Sequence, residues 1–203
     1  MNIAQALALR GEVDSYERQE NIWLLEHFLG LSALELKYRA DQELSAAQEQ
    51  MYVQALARIA AGEPLAYITG SQPFWTLDLK VTHDTLVPRP DTEVLVETVL
   101  ALSLQRDAVI VDLGTGTGAI ALALASERPD WQVTATDIYL PTLAVAQENA
   151  SKHALNQVQF ACGAWFEALG SAAEPRFDLI VSNPPYIDAN DAHMSALAAE
   201  PER

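Results

Sequence analysis

Apolar residues recur three or four positions apart through residue 62, a spacing that predicts amphipathic helices. Asp14 and Ser15 can cap a helix whose face carries Ile22, Leu25 and Leu29, with Gly30 just past its end. Ser32 and Glu35 form an S-x-x-E capping box, and Leu31 with Leu36 can staple the entry to a second helix. Ser45 with Gln48 opens a third, with Met51, Ala55, Leu56 and Ile59 facing inward and Gly62 at its end. From Pro64 the period shortens. Leu77, Leu79 and Val81 alternate with Asp78 and Lys80, and Phe74 and Trp75 add bulk, so residues 71–88 read as an antiparallel linker hairpin. The stiff bend Pro88, Arg89, Pro90, Asp91 leads to a helix capped by Asp91 or Thr92 and bearing Val94, Leu95, Val99 and Leu102.

Strands and helices alternate from Ala108 onward. Val109, Ile110 and Val111 make a strand, residues 112–118 a tight loop and residues 119–127 a helix. A second strand, 133–136, ends at Asp137; a helix spans 141–153; further strands cover 158–161 and 177–181. This alternation predicts an α/β fold with a parallel sheet and right-handed crossovers. It follows a small all-α domain, residues 1–70, and the hairpin, and occupies residues 89–203.

The 203 residues carry 12 Lys and Arg against 28 Asp and Glu, a net charge of −16. A duplex nucleic-acid binder needs a basic stripe, and none is visible. The acidity reads as solubility, with attraction to a basic partner as the other reading. Cys162 is the only cysteine, which excludes a disulfide framework or thiolate cluster within one chain. The histidines at 27, 83, 153 and 193 are too scattered for a metal set, so no metal is expected. Without a basic, apolar leader or an apolar run of about 18 residues, a cytoplasmic protein with no membrane partner is expected.

The apolar run Phe177, Asp178, Leu179, Ile180, Val181 reads as a strand buried on both faces, and ligands bind beyond the carboxyl ends of such strands. Asn183, Pro184, Pro185 and Tyr186 then fall at a crevice mouth. The prolines stiffen the segment and lack N–H groups. The Asn183 side-chain oxygen and the Pro184 carbonyl can accept both hydrogens of a planar NH2, while the Tyr186 ring covers its face. The bland alternative is a strand-ending turn.

Gly114, Gly116 and Gly118 allow a sharp turn and a close-lying ligand. Asp137, one strand later, can accept both hydrogens of a ribose diol. Residues 114–119 also satisfy G-x-G-x-x-A, so a dinucleotide is a rival. Asp112, beside the glycines on the rim, favours an ammonium or sulfonium over a phosphate and leans towards S-adenosylmethionine. Arg89 reads either as a rigid turn or as a guanidinium that faces the crevice and holds an anion or orders the socket.

Residues 112–118, Asp137 and Asn183 to Tyr186 together resemble a Rossmann-like S-adenosylmethionine-dependent methyltransferase acting on a planar nitrogen. With Leu86 to Glu93, Trp165, Phe166 and the helical amino-terminal segment, the match resembles the release factor glutamine methyltransferase family from residue 20 onward. The resemblance implies a doubly wound sheet and N5-methylation of the glutamine in the Gly-Gly-Gln motif of class 1 peptide chain release factors. S-adenosyl-L-methionine would be the donor and S-adenosyl-L-homocysteine the product. Asp112, Gly114, Thr115, Gly116, Thr117, Gly118, Asp137 and Trp165 would meet the cofactor. Asn183 would touch cofactor and substrate, and Pro184, Pro185 and Tyr186, with Arg89, the substrate. Asn183, Pro184 and Tyr186 would carry catalysis. The amino-terminal helices would help dock the release factor, and the protein would act as a monomer without binding nucleic acid directly.

Two departures stand out. The family commonly has an acidic residue before the tryptophan, where this chain has Ala164. The family's sheet continues beyond the fourth strand, so a chain ending at Arg203 is expected to be incomplete relative to the working enzyme, with its fourth strand an exposed edge in the order 3-2-1-4. An amino methyltransferase acting on adenine or cytosine, an NAD-linked reductase and a non-catalytic interaction module remain as alternatives.

Overall fold

In the amino-terminal helices a short polar side chain repeatedly takes up a backbone N–H that the first turn leaves unpaired. In this computed structural model, which describes residues 1–170 and 177–184, the chain divides into two units, Met1–Thr69 and Gly70–Arg203. Asn2 and Gln5 form a capping box at α1 (Ile3–Ala8). Ser15 accepts from Arg18 N–H at the start of α2 (Tyr16–Leu29), and Gly30 ends it at φ 63°. Ser32 with Glu35 and Ser45 with Gln48 form the boxes of α3 (Ala33–Tyr38) and α4 (Ala46–Ala60). α5 (Leu65–Thr69) closes the unit.

Ile3, Ala6, Leu24, Leu25, Leu36, Tyr52 and Ala55 make the core of this unit. Met51, expected inside, is 45% exposed, and Tyr52 takes the inner position. The Tyr52 hydroxyl, 2.7 Å from the Ala6 carbonyl and 2.6 Å from Asn21 Oδ1, supplies the reason: it satisfies polar groups that a thioether would leave bare. Burial pushes the Tyr52 hydroxyl up to about 12. Asp14 sits at φ 69° as a turn residue and leaves the capping to Ser15.

In the second unit β1 (Ser71–Phe74) and β2 (Leu77–Lys80) form the antiparallel hairpin. A 3₁₀ turn, Pro90–Thr92, leads into α6 (Glu93–Leu100). Neither Asp91 nor Thr92 caps α6 through its side chain; the proline-initiated turn makes the entry instead. Val96 and Val99 face inward, whereas Val94, expected inside, is 60% exposed.

The α/β part runs β3 (Val109–Leu113), α7 (Ala119–Glu127), β4 (Gln132–Asp137), α8 (Leu140–Lys152), β5 (Gln159–Cys162), a 3₁₀ turn (Trp165–Leu169) and β6 (Leu179–Ser182). The strands lie parallel in the order β5-β4-β3-β6, a Rossmann-like arrangement. Residues 119–125 of α7 are buried all round and pack with Ile110, Val133, Ala135 and Val181 into one core. The fourth strand is not buried on both faces. Val181 is buried, but Ile180 is 48% exposed, because among the described residues β6 pairs only with β3. No helix among the described residues is long and apolar enough to cross a membrane.

Candidate functional site

The carboxyl ends of the four parallel strands lie side by side and bring several of the candidate residues onto one rim. Gly114 and Thr115 N–H both donate to the Thr136 carbonyl, at 2.9 and 2.8 Å, which bends the glycine loop over the end of β4. At that end Asp137 Oδ2 accepts from Gly116 N–H at 3.1 Å and Oδ1 from Tyr139 N–H at 3.1 Å. The Asp137 carbonyl accepts from Gly163 N–H at 3.0 Å, so one residue ties together the glycine loop and the ends of β4 and β5. Gly116 stands at φ 58° with no atom within 4 Å of where a Cβ would be, as does Gly114 at φ 74°. Gly118 is different: a Cβ there would come within 2.9 Å of Leu122 Cδ1 and 3.3 Å of Ala146 Cβ. Its role is to let α7 pack against α8, while Gly114 and Gly116 leave open space at the rim.

On the other side of β3, the Ser182 hydroxyl donates to the Leu113 carbonyl at 2.7 Å and pins β6 in place. Asn183 follows, exposed, and its Nδ2 donates to Thr92 Oγ1 at 2.9 Å. Two strand spacings separate the ends of β4 and β6, so Asp137 and Asn183 flank the glycine loop about 10 Å apart. Pro184 is partly buried. Pro185 and Tyr186 lie outside the described residues. Trp165 opens the 3₁₀ turn after β5 at φ 49° and is 57% exposed. Arg89 is exposed, and its carbonyl accepts from Thr92 N–H at 3.0 Å.

Asp112 corrects the sequence reading. It belongs to β3, not to the loop, and it is fully buried instead of standing on the rim. The reason is strand alternation: Asp112 is in register with Ala135 and Val181, both on the core face, and so points beneath α7. Thr115 Oγ1 donates to its Oδ2 at 2.6 Å, while Oδ1 has no partner. Burial pushes this carboxyl up to about 6, against hydrogen bonding from Thr115 and the Ala121 backbone, and the nearby charge of Asp137 adds to the rise. Of the two carboxyls, only that of Asp137 stands at the loop.

Two residues had gone unnoticed in these roles. Thr92 is the neighbour whose side chain meets Asn183. Asn149 is fully buried in α8; its Nδ2 donates to the Lys80 carbonyl at 3.0 Å and the Thr117 carbonyl at 2.9 Å, and its Oδ1 accepts from Lys80 N–H at 2.6 Å. An amide in line with Val145 and Ala146 on the inward face of the helix was the available sign. A groove of about 790 Å³ on the helical unit, bordered by Leu7, Tyr16 and Ile22, and a hollow of about 290 Å³ bordered by Val109, Gln132 and Gln159 are lined by none of the rim residues.

A parallel sheet in this order, with a glycine turn after its first strand and an acid after its second, defines a Rossmann-like nucleoside-binding domain, a fold that dinucleotide-dependent enzymes and methyltransferases share. The Methyltransferase small domain family matches residues 90–199, and the PrmC N-terminal domain family matches residues 2–70. The release factor glutamine methyltransferase of Salmonella typhimurium is 47% identical over 182 residues, 90% of this chain and 64% of that protein. That of Coxiella burnetii is 42% identical over 204 residues, 98% of this chain and 70% of that protein. The solved N-terminal domain of human METTL16 aligns with a TM-score of 0.45 at 20% identity over 59% of this chain and 50% of that one. The chain belongs to the release factor glutamine methyltransferase family, and it spans about half the length of some curated relatives, 48% for the one from Vibrio cholerae.

Proposed function

We propose that this protein methylates the side-chain nitrogen of the glutamine in the Gly-Gly-Gln motif of class 1 peptide chain release factors, in the cytoplasm, with S-adenosylmethionine as donor. One observation carries the reading: Asn183 stands at the end of β6, next to the strand whose glycine loop is anchored on Asp137. The open space at Gly114 and Gly116 beside the Asp137 carboxylate suits a positively charged nucleoside. The relatives' names supply the acceptor.

When bound, S-adenosylmethionine supplies a methyl group on a sulfonium, open to in-line displacement. Asp137 would accept from the ribose hydroxyls, and the open space at Gly114 and Gly116 would let the ligand lie close to the backbone. Trp165 offers an aromatic face beside them. Asn183 Oδ1 and the Pro184 carbonyl accept the two amide hydrogens, which raises electron density on a nitrogen otherwise weakened by delocalisation. Arg89 orders the socket. Bound there, the donor would supply the methyl carbon and take back the leaving electron pair as a neutral thioether, and Asn183 and Pro184 would hold the amide nitrogen towards it until one hydrogen passes to water. Such positioning contributes about 7 to 11 kcal/mol of barrier lowering. The helices of residues 1–69 dock the release factor. A labelled-methyl assay should offer a release factor, the same factor with its motif glutamine changed to alanine, and nonspecific DNA. Label is expected on the first alone; label on DNA bases, or on the alanine variant to the same extent, would overturn the reading.

A further inference from the structure

We propose that Thr92 is a positioning residue that sets the working orientation of the Asn183 amide. This rests on the reading of Asn183 as an acceptor for the substrate NH2. An amide side chain has an oxygen end and an NH2 end of nearly equal shape, and only the first can accept a donor. Turned the other way, Asn183 would present hydrogens to hydrogens and repel the substrate. Its Nδ2 donates to Thr92 Oγ1 at 2.9 Å with Oδ1 left for the crevice; a hydroxyl can serve either end of an amide, so Thr92 fixes the place and plane of the amide and the substrate's two hydrogens select its oxygen end. Donation at one end of an amide also polarises it and strengthens the acceptor at the other.

A second observation separates this role from helix capping. Thr92 stands immediately before α6, where a threonine hydroxyl ordinarily accepts from its own helix, yet it makes no side-chain cap bond. The Pro90–Thr92 turn places the hydroxyl against a strand end 91 positions away. Removing it should therefore leave α6 intact.

The test compares Thr92→Val, which keeps the shape and loses the acceptor, with Thr92→Ser, which keeps the hydroxyl. In protein labelled with ¹⁵N at asparagine side chains, with Asn183→Ala giving the assignment, Thr92→Val is expected to move the Asn183 NH2 protons upfield and Thr92→Ser to leave them near their original position. This readout needs no substrate, so it judges the contact even if release factors prove not to be the acceptor. With the release factor as acceptor, Thr92→Val should lower kcat about tenfold, leave S-adenosylmethionine affinity and thermal midpoint unchanged, and be rescued by serine. Unmoved NH2 protons, or activity lost in parallel with thermal midpoint and cofactor affinity in both variants, would overturn the proposal. Transfer to nonspecific DNA instead would overturn the functional reading alone.

Discussion

Asp112 shows how one side chain can be recognised in sequence and misplaced. Its position before the glycines was legible, and its direction was not, because direction depends on which face of β3 the strand pairing turns towards the core. Burial raises its carboxyl from 3.8 to about 6, so the folded state prefers the protonated form. The stabilisation is fully present below the unfolded value and is lost as pH rises through the folded one, a swing of about 3 kcal/mol. Asparagine has no such titration. The unfolding free energy of Asp112→Asn minus that of the native protein should therefore rise by about 3 kcal/mol between pH 3 and pH 7 in urea titrations. A difference that stays flat would mean the carboxyl is not held in a desolvated site. Gly116 and Gly118 carry a similar lesson: identical in sequence, one opens to the rim and the other meets Leu122, which only the packing of α7 reveals.

At the scale of elements, polar punctuation was the most legible feature. Ser32 with Glu35 and Ser45 with Gln48 announced α3 and α4, since a capping box is a local device that needs no tertiary partner. Which face turns inward was less legible: Tyr52 displaced Met51 and Val96 displaced Val94, because distant carbonyls and neighbouring helices decide the rotation. The short α1 and α5 left no periodic trace. Asn149 was harder to read, because its partners lie 32 and 69 positions away. Its three hydrogen bonds join β2, α8 and the glycine loop. Asn149→Leu would strand a buried N–H and two carbonyls, and an expected loss of about 3 kcal/mol follows. Hydrogen exchange should show faster opening of the Lys80 and Gly118 amides; unchanged protection there would show that the clamp does not hold the loop.

For the whole molecule, the order 3-2-1-4 was legible because parallel strands with right-handed crossovers leave few arrangements. The edge place of β6 followed from that order, whereas burial on both its faces, read from the apolar run, did not hold at Ile180, since such a run is the same text at the centre of a sheet and at its edge. Asp137, the glycine loop and Asn183 were legible as a set and converge on one rim, whereas Thr92 belongs to a segment far from Asn183 in sequence and was seen only as a cap. The central claim is that Asn183 works through its side-chain oxygen on the acceptor and not by holding the fold. Single-turnover methyl transfer by Asn183→Ala, with S-adenosylmethionine affinity measured by calorimetry on the same protein, tests it most directly. The account predicts a rate lowered at least a hundredfold, about 3 kcal/mol, with affinity changed by less than about threefold. Near-normal transfer with unchanged cofactor binding would contradict it.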